Sequence, residues 1–430
     1  MIFIASGCVP RPVEEPVPPE EVAVPEEVPE VPKKIVFYTP AWGIDQAKQI
    51  IALFEKENPD VKVELIEGPA EWGGHVERTT LWIETKYPGV DVLYQDDVFT
   101  LDGAVAGVWE DLTPHLTKEE IEDLVGLQKE YMKEHGGVFR IPWWNGGSYM
   151  YYRKDLFEKE GVAVPKTWEE FLEVGKRFVK DLDGDGKVDQ WGYVTQGTAG
   201  EMYNNFVEFL YQAGGNEWEL APGGVPTPEA RKALEFMTKL YAETAPPGLA
   251  AIGYAESRGL LTEGKVAMLR DWADPGRIVV EEGLTDKIGV MNFPAGPAGP
   301  YGIGHCWGVV VNKYGANFQK NPDVVIDFVR FMVRPEIHKI TAGIEGPALQ
   351  SVLQDEEFMS QLAEKNIVVP YFAEFLEFRK VRKFPAGQAT PYHEGIGRIA
   401  AQAAITGELT VDEALVELQK FIDPLIEGKE

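Results

Sequence analysis

Six tryptophans stand in segments that read as turns and strand ends, beside groups that hydrogen-bond: Trp42, Trp72, Trp143, Trp144, Trp272 and Trp307. Two runs show the pattern, Trp143-Trp144-Asn145-Gly146-Gly147 and Arg270-Asp271-Trp272-Ala273-Asp274. The chemistry such residues can do is non-covalent. A flat aromatic face next to carboxylates and amides offers stacking to the C–H faces of a sugar ring and fixed partners to its hydroxyls. Large aromatics are also buried for packing alone, so the competing reading makes half or more of these rings core residues. The histidines, His75, His115, His135, His305, His338 and His393, show no metal-ligand spacing. Cys306, beside Trp307, reads as a buried thiol acting as a small hydrophobe and not as a nucleophile.

A second constellation is a loop of carboxylates. Asp181, Asp183, Asp185 and Asp189 occupy positions 1, 3, 5 and 9 of a calcium-loop pattern, with Gly186 at position 6 for the sharp turn. Position 12 is Gly192 and not the bidentate Glu of that pattern. Two readings stay open: a structural Ca²⁺ completed by another ligand, or an Asx-rich turn between a helix and a strand. No other cofactor is implied.

The elements that must position these groups follow from periodicity. Residues 34–40 read as a first strand, 45–58 as a helix with apolar Ala47, Ile50, Ile51, Leu53 and Phe54, and 61–66 as an alternating strand. Residues 79–85 read as a helix and 91–94 as a third strand running into Gln95-Asp96-Asp97. This β-α-β-α-β order predicts a parallel sheet with helices on both faces, whose ligands meet the carboxyl ends of the strands. Trp42 and Asp96 fall just past such ends. Residues 149–153 read as a strand that continues to Glu158; 266–269 and 307–311 are further strands. Thr167, with Glu170 three residues on, caps a helix, and helices are expected at 201–213, 228–243, 256–264, 322–333, 335–342 and 411–422.

At 430 residues the chain exceeds one ordinary core. Its net charge of −29, from 41 basic and 70 acidic residues, leaves no basic footprint for nucleic acid. That acidity fits the solubility of an extracytoplasmic or thermophile protein, and abundant Glu and Lys with 31 prolines fit a thermophile. Two cysteines, Cys8 and Cys306, make no disulfide framework. Residues 9–33 hold eight prolines and seven glutamates. They cannot bury enough apolar surface to fold, and at about 3 Å per residue could span on the order of 75 Å. No stretch of 18 apolar residues exists to cross a bilayer.

The start, Ile2-Phe3-Ile4-Ala5-Ser6-Gly7-Cys8, resembles the end of a lipoprotein signal peptide, which implies lipidation of Cys8; it is shorter than a complete signal and lacks a charged n-region. The competing reading is a disordered end with an incidental cysteine. With residues 9–33 as a tether, the first reading places the protein outside the cytoplasm as a membrane-anchored lipoprotein.

The body resembles the family 1 extracellular solute-binding proteins of carbohydrate ABC importers. Five places carry the resemblance over residues 34–425. They are the opening strand and helix with Asn58-Pro59-Asp60-Val61-Lys62-Val63; Asp91-Val92-Leu93-Tyr94-Gln95-Asp96; Ile141-Pro142 to Tyr151-Tyr152-Arg153-Lys154-Asp155-Leu156-Phe157; Pro165-Lys166-Thr167-Trp168-Glu169-Glu170; and Gly264-Lys265-Val266-Ala267-Met268 before Trp272. The resemblance implies an α/β fold of two lobes, residues 34–144 plus 306–343 and 145–305 plus 344–430, closing on a ligand. Crossings would fall near Trp143–Gly147, Gly304–Trp307 and Gly343–Gly346, all Gly-rich as hinges require. Sugar-stacking rings would map onto Trp144, Trp272 and Trp307, and a hydroxyl-binding acid onto Asp96. Trp42, Glu71, Trp72, Trp143, Tyr203, Asp271 and Tyr392 are further candidates, with Asp274 and Gln388. One departure matters: related disaccharide binders carry an acid two residues after the aromatic at position 144, and here that residue is Gly146.

The implied protein is a monomeric receptor, not an enzyme, capturing an oligosaccharide for the permease subunits of an ABC importer. The alternatives are a glycoside-active enzyme using paired carboxylates such as Asp96 and Asp271, or a binder of a non-sugar solute.

Overall fold

The computed structural model describes residues 33–427, except 71, 126–127, 130–131, 134–135, 217–226, 343–345 and 383–388. Cys8 and nearly all of the expected tether lie outside the described residues. Lys33, the last tether residue expected, is instead the first of a strand, β1 (Lys33–Thr39).

The next elements follow the sequence pattern closely. Helix α1 (Ile44–Glu57) buries Ala47, Ile50 and Phe54 and ends where Asn58 donates its side-chain amide back to the Phe54 carbonyl at 2.9 Å. Strand β2 (Val61–Glu67) buries Val61 and Val63 and exposes Lys62 and Glu64. Helix α2 (Trp72–Thr85) begins earlier than expected and leads to β3 (Val92–Asp96). β1 pairs in parallel with both β2 and β3.

Beyond these three strands the sheet is mixed. β4 (Ile141–Gly147) and β3 both pair antiparallel with β9 (Gly302–Val311), and β10 (Arg379–Val381) pairs in parallel with the start of β9. A second sheet has the order β6 (Trp191–Val194), β7 (Val266–Asp271), β5 (Tyr149–Arg153), β8 (Ile288–Met291). The described helices pack against both sheets, giving a mixed α/β architecture. Among the described residues no helix is long and apolar enough to cross a membrane.

One expectation fails. The strand at 149–153 does not continue to Glu158; residues Lys154–Glu160 form a helix. Lys, Asp, Leu and Glu favour helix over strand, and Arg153 fixes the switch by holding Asp155 at 2.8 and 2.6 Å. Gly161, at φ 65°, closes that helix in a left-handed turn. At Thr167 the hydroxyl accepts from the Glu170 amide at 3.3 Å, while Glu170 reaches back to the Lys166 amide at 2.7 Å, one residue before the reciprocal position.

The expected crossing segments converge. Asn145, Gly146 and Gly147 of β4 lie opposite Cys306, His305 and Gly304 of β9. Residues 343–345 are outside the described set, but Gly346 accepts from the Asn145 amide at 3.0 Å. Its φ of +155° and the Phe372 ring, 2.3 Å from where a Cβ would stand, require glycine there.

Candidate functional site

A β-bulge aims the tryptophans. In the β4–β9 ladder Ile141 stands opposite Val309 and Pro142 opposite Gly308, but the next pair is Trp144 with Trp307. Trp143 is the extra residue, and the insertion turns Trp144 toward the ring of Trp307. Trp144 Nε1 donates to Tyr94 Oη at 2.7 Å. Tyr94 stacks on Trp307 at 5.2 Å and 16°, and Trp42 meets Trp307 edge-on at 5.5 Å. Trp143 goes elsewhere. It lies in the core against Phe37, with Nε1 donating to Met332 Sδ at 3.1 Å, so its indole is a packing group and not part of this row.

The second sheet supplies Trp272, just past β7. Its indole N–H donates to Glu201 at 3.3 Å and to Tyr254 Oη at 3.1 Å, and the Arg270 guanidinium lies 4.3 Å from the ring. Arg270 is fully buried and held by two acids of the helix Ala199–Ala213: Glu208 at 2.8 and 3.0 Å, Glu201 at 3.0 Å. The Tyr254 hydroxyl also bonds Glu201. Two imidazoles join the tryptophans. His305 of β9 stacks on Trp272 at 4.2 Å and 24° and meets Trp144 edge-on at 5.0 Å. His75 of α2 lies 5.5 Å from Trp307 and 5.8 Å from Trp42. A continuous row therefore runs Trp42, Trp307, Trp144, His305, Trp272. Burial pushes both histidines down to about 3, so both are neutral near pH 7.

Trp72, Tyr203 and Tyr392 form a separate group around His393. Trp72 lies 5.5 Å and Tyr203 4.5 Å from the His393 ring, with Tyr392 at 6.4 Å from Tyr203. This group ties α2 to the helices Ala199–Ala213 and Ala389–Ala401.

The acids are mostly engaged. Asp96 caps helix α3 (Asp97–Val105), accepting from the Phe99 amide at 3.1 Å. Burial, then the charge of Asp97, push its carboxyl up to about 7. Asp97 is paired with Arg382 at 2.6 and 3.2 Å, and Arg382 also donates to Asn204 at 3.1 Å. Asp271 has both oxygens occupied by Arg258 (2.9 and 3.0 Å), Gln196 (3.0 Å) and the Trp272 amide (2.6 Å). Asp274 takes the same arginine at 3.1 Å. Glu71 and Gln388 lie outside the described residues.

Sequence reasoning missed His75, His305, Glu201, Tyr254, Arg270 and Arg382 as site groups. Arg270, which opens a flagged run, and His305, inside the flagged Gly304–Trp307 segment, carried a signal; the others become neighbours through tertiary pairing.

In the acidic loop Asp181, Asp183 and Asp189 bring carboxylate oxygens within 4.8 Å of one another. Asp185 pairs instead with Lys187 at 3.4 Å. Asp181 accepts from the Gly184 and Gly186 amides at 2.7 and 2.8 Å, which hold its carboxyl below the ordinary range, and Asp189 accepts from Leu182 at 2.7 Å. The turn is thus self-supporting.

A family model described as bacterial extracellular solute-binding protein matches residues 41–339. The chain is 27% identical over 342 residues to a probable ABC transporter-binding protein of Deinococcus radiodurans, covering 77% of each. It is 24% identical over 276 residues to a mannitol-binding protein of Pseudomonas aeruginosa, covering 60% of this chain and 59% of that one. In fold it is similar to the maltose-bound MalE3 of T. maritima, with a TM-score of 0.78 at 22% identity over 91% of this chain and 99% of that one. The fold is therefore that of the two-lobed solute-binding proteins.

Proposed function

We propose that this chain, which belongs to the bacterial extracellular solute-binding protein family, is the substrate-binding component of an ABC sugar importer and captures an oligosaccharide by aromatic stacking. The observation that carries the reading is the ring row itself. Trp42, Trp144 and Trp307 belong to the first sheet and its loops, Trp272 follows a strand of the second, and His305 of the first-sheet strand β9 touches a ring from each side. A ligand held by both sets is a reason for the halves to close, and the importer's permease subunits then read the closed form. The closing bodies are residues 34–144 plus 306–343 and 145–305 plus 344–430, moving about the crossings of β4, β9 and Gly346.

The protein is a receptor and not a glycosidase on this reading. Asp271 has both oxygens engaged and Asp96 serves as a helix cap, so neither is placed as a free acid or nucleophile. It works as a monomer outside the cytoplasm, tethered through a lipid on Cys8 and the proline- and glutamate-rich stretch. Asp181, Asp183 and Asp189 hold a Ca²⁺ that stiffens the loop without taking part in binding.

The test is intrinsic tryptophan fluorescence during titration with α- and β-linked gluco-, manno- and xylo-oligosaccharides. A saturable change with one linkage class supports the reading and identifies the ligand class. No response across the panel, in protein that melts cooperatively, moves the assignment to a non-sugar solute.

A further inference from the structure

One buried charge pair joins the two closing bodies. Strand β10 pairs with the start of β9, Val381 opposite Gly304, and so delivers Arg382 to the crossing. Arg382 is buried there and serves two partners. Its Nε and Nη2 donate to the two carboxylate oxygens of Asp97 at 3.2 and 2.6 Å, and its Nη1 donates to Asn204 Oδ1 at 3.1 Å. Asp97 opens α3, directly after β3 of the first sheet, whereas Asn204 stands on the helix Ala199–Ala213. Asp97 falls in the first closing body, Asn204 and Arg382 in the second. The pair therefore crosses the seam along which the bodies would part.

The second body carries the contact onward to the ring row. Asn204 Nδ2 donates to Glu201 Oε2 at 3.4 Å, so the amide oxygen serves Arg382 and the nitrogen serves Glu201. Glu201 in turn accepts from Trp272 Nε1 at 3.3 Å and from Arg270 at 3.0 Å. A polar chain thus runs Asp97, Arg382, Asn204, Glu201, Trp272. Rings cross the same seam beside it. Trp72 of α2 lies 5.5 Å from His393, and His393 lies 4.5 Å from Tyr203, the neighbour of Asn204.

Taking two charges out of water is repaid only while they stay close and well hydrogen-bonded. Two N–H···O bonds from one guanidinium to one carboxylate meet that condition. A partly opened seam would separate the ions before water could reach them. A fully opened one would hydrate both. The pair therefore favours the closed arrangement over any half-open one, and loss of either partner penalises the closed arrangement alone.

We propose that Asp97 and Arg382 form a clasp between the closing bodies, with Arg382 a positioning residue that sets the closed state without touching the ligand. The proposal rests on the receptor reading above and adds to it a contact outside the ring row that decides how tightly a captured ligand is held.

The test combines calorimetry, small-angle X-ray scattering and thermal melts on the wild type, Arg382→Met, Asp97→Asn and the double variant Asp97→Leu/Arg382→Met. The probes are gluco-, manno- and xylo-oligosaccharides and mannitol, and the variants are titrated with whichever binds the wild type. That probe should shrink the radius of gyration of the wild type. Each single variant should bind it about tenfold more weakly or worse, and at saturation should keep a radius nearer its unliganded value. Without ligand both single variants should melt within about 3 °C of wild type, because an open seam hydrates the stranded charge. The double variant, which strands no charge, should recover part of the affinity. Affinity within about twofold of wild type together with full contraction in both single variants overturns the proposal. So does a fall of more than about 10 °C in their unliganded melting temperatures, which would make the pair a support of the fold and not of closure. Either result leaves the receptor reading intact. A folded wild type that binds none of the probes contradicts the receptor reading itself, and this proposal with it.

Discussion

The two sheets hold their tryptophans by different physics. On the first-sheet side, Trp42, Trp144 and Trp307 are fixed by other rings, with one hydrogen bond from Trp144 to Tyr94. On the second-sheet side, Trp272 is fixed by a buried network of Arg270, Glu201, Glu208 and Tyr254. Ring packing is forgiving, because contacts of this kind are many and individually weak. A buried charge network is not, because loss of one member strands the others in a low dielectric. The rings of the first wall can therefore shift with little cost, whereas the second holds one ring in one orientation.

The contrast can be broken most severely at Arg270. Arg270→Ala leaves Glu201 and Glu208 buried without their cation and should destabilise the fold by about 3–5 kcal/mol in denaturant melts. A cost below about 1 kcal/mol would mean the network does not clamp Trp272.

Acid probes the two histidines of the ring row. His75 and His305 titrate near 3 in the folded protein against 6.5 as the ordinary value. A depressed folded value means the unfolded chain binds the proton first. The stability is therefore complete above pH 6.5 and declines as pH falls from there toward 3, by up to roughly 1.4 kcal/mol per pH unit for each histidine. The double variant His75→Gln/His305→Gln should make the decline shallower, with His338 and His393, also held neutral by burial, supplying the remainder; an unchanged slope would mean that neither His75 nor His305 drives it.

On the ring-packed wall, Tyr94→Phe removes the acceptor of Trp144 Nε1 and should cost about 1–3 kcal/mol, with most of the ring stacking retained. A larger loss would show that this wall also depends on a polar clamp. The smallest effect belongs to a region outside both walls. Asp181→Asn in the exposed acidic loop should leave denaturant stability essentially unchanged in chelator. Added Ca²⁺ should raise the melting temperature of the wild type and not of the variant. No Ca²⁺ effect on either would leave the loop as an Asx turn.

The same contrast governs what could be read from the sequence. Tryptophans beside glycines and amides at strand ends announce themselves, and β1, α1, β2 and β3 follow directly from periodicity. The pair Trp143-Trp144 could not be resolved, because the bulge that sends the two rings to different partners depends on the register against β9. The charge wall joins Arg270 to Glu201 and Glu208, 69 and 62 positions away, and no local pattern links them. His305 is likewise a product of strand pairing. The short strands β6, β8 and β10 carry too few residues for an alternating pattern, and the mixed sheet follows from long-range insertion of β9. The helix after Arg153 was missed because a strong strand precedes it without a glycine or proline between them.

The central claim is that rings from both sheets grip one ligand. Calorimetry of Trp144→Ala, Trp272→Ala and the double variant, with the saccharide selected by the fluorescence panel, tests it most directly. Each single variant should lose at least tenfold in affinity, and the double variant should lose less than the two together, since one lost wall already prevents closure. Wild-type affinity in either single variant would contradict the account.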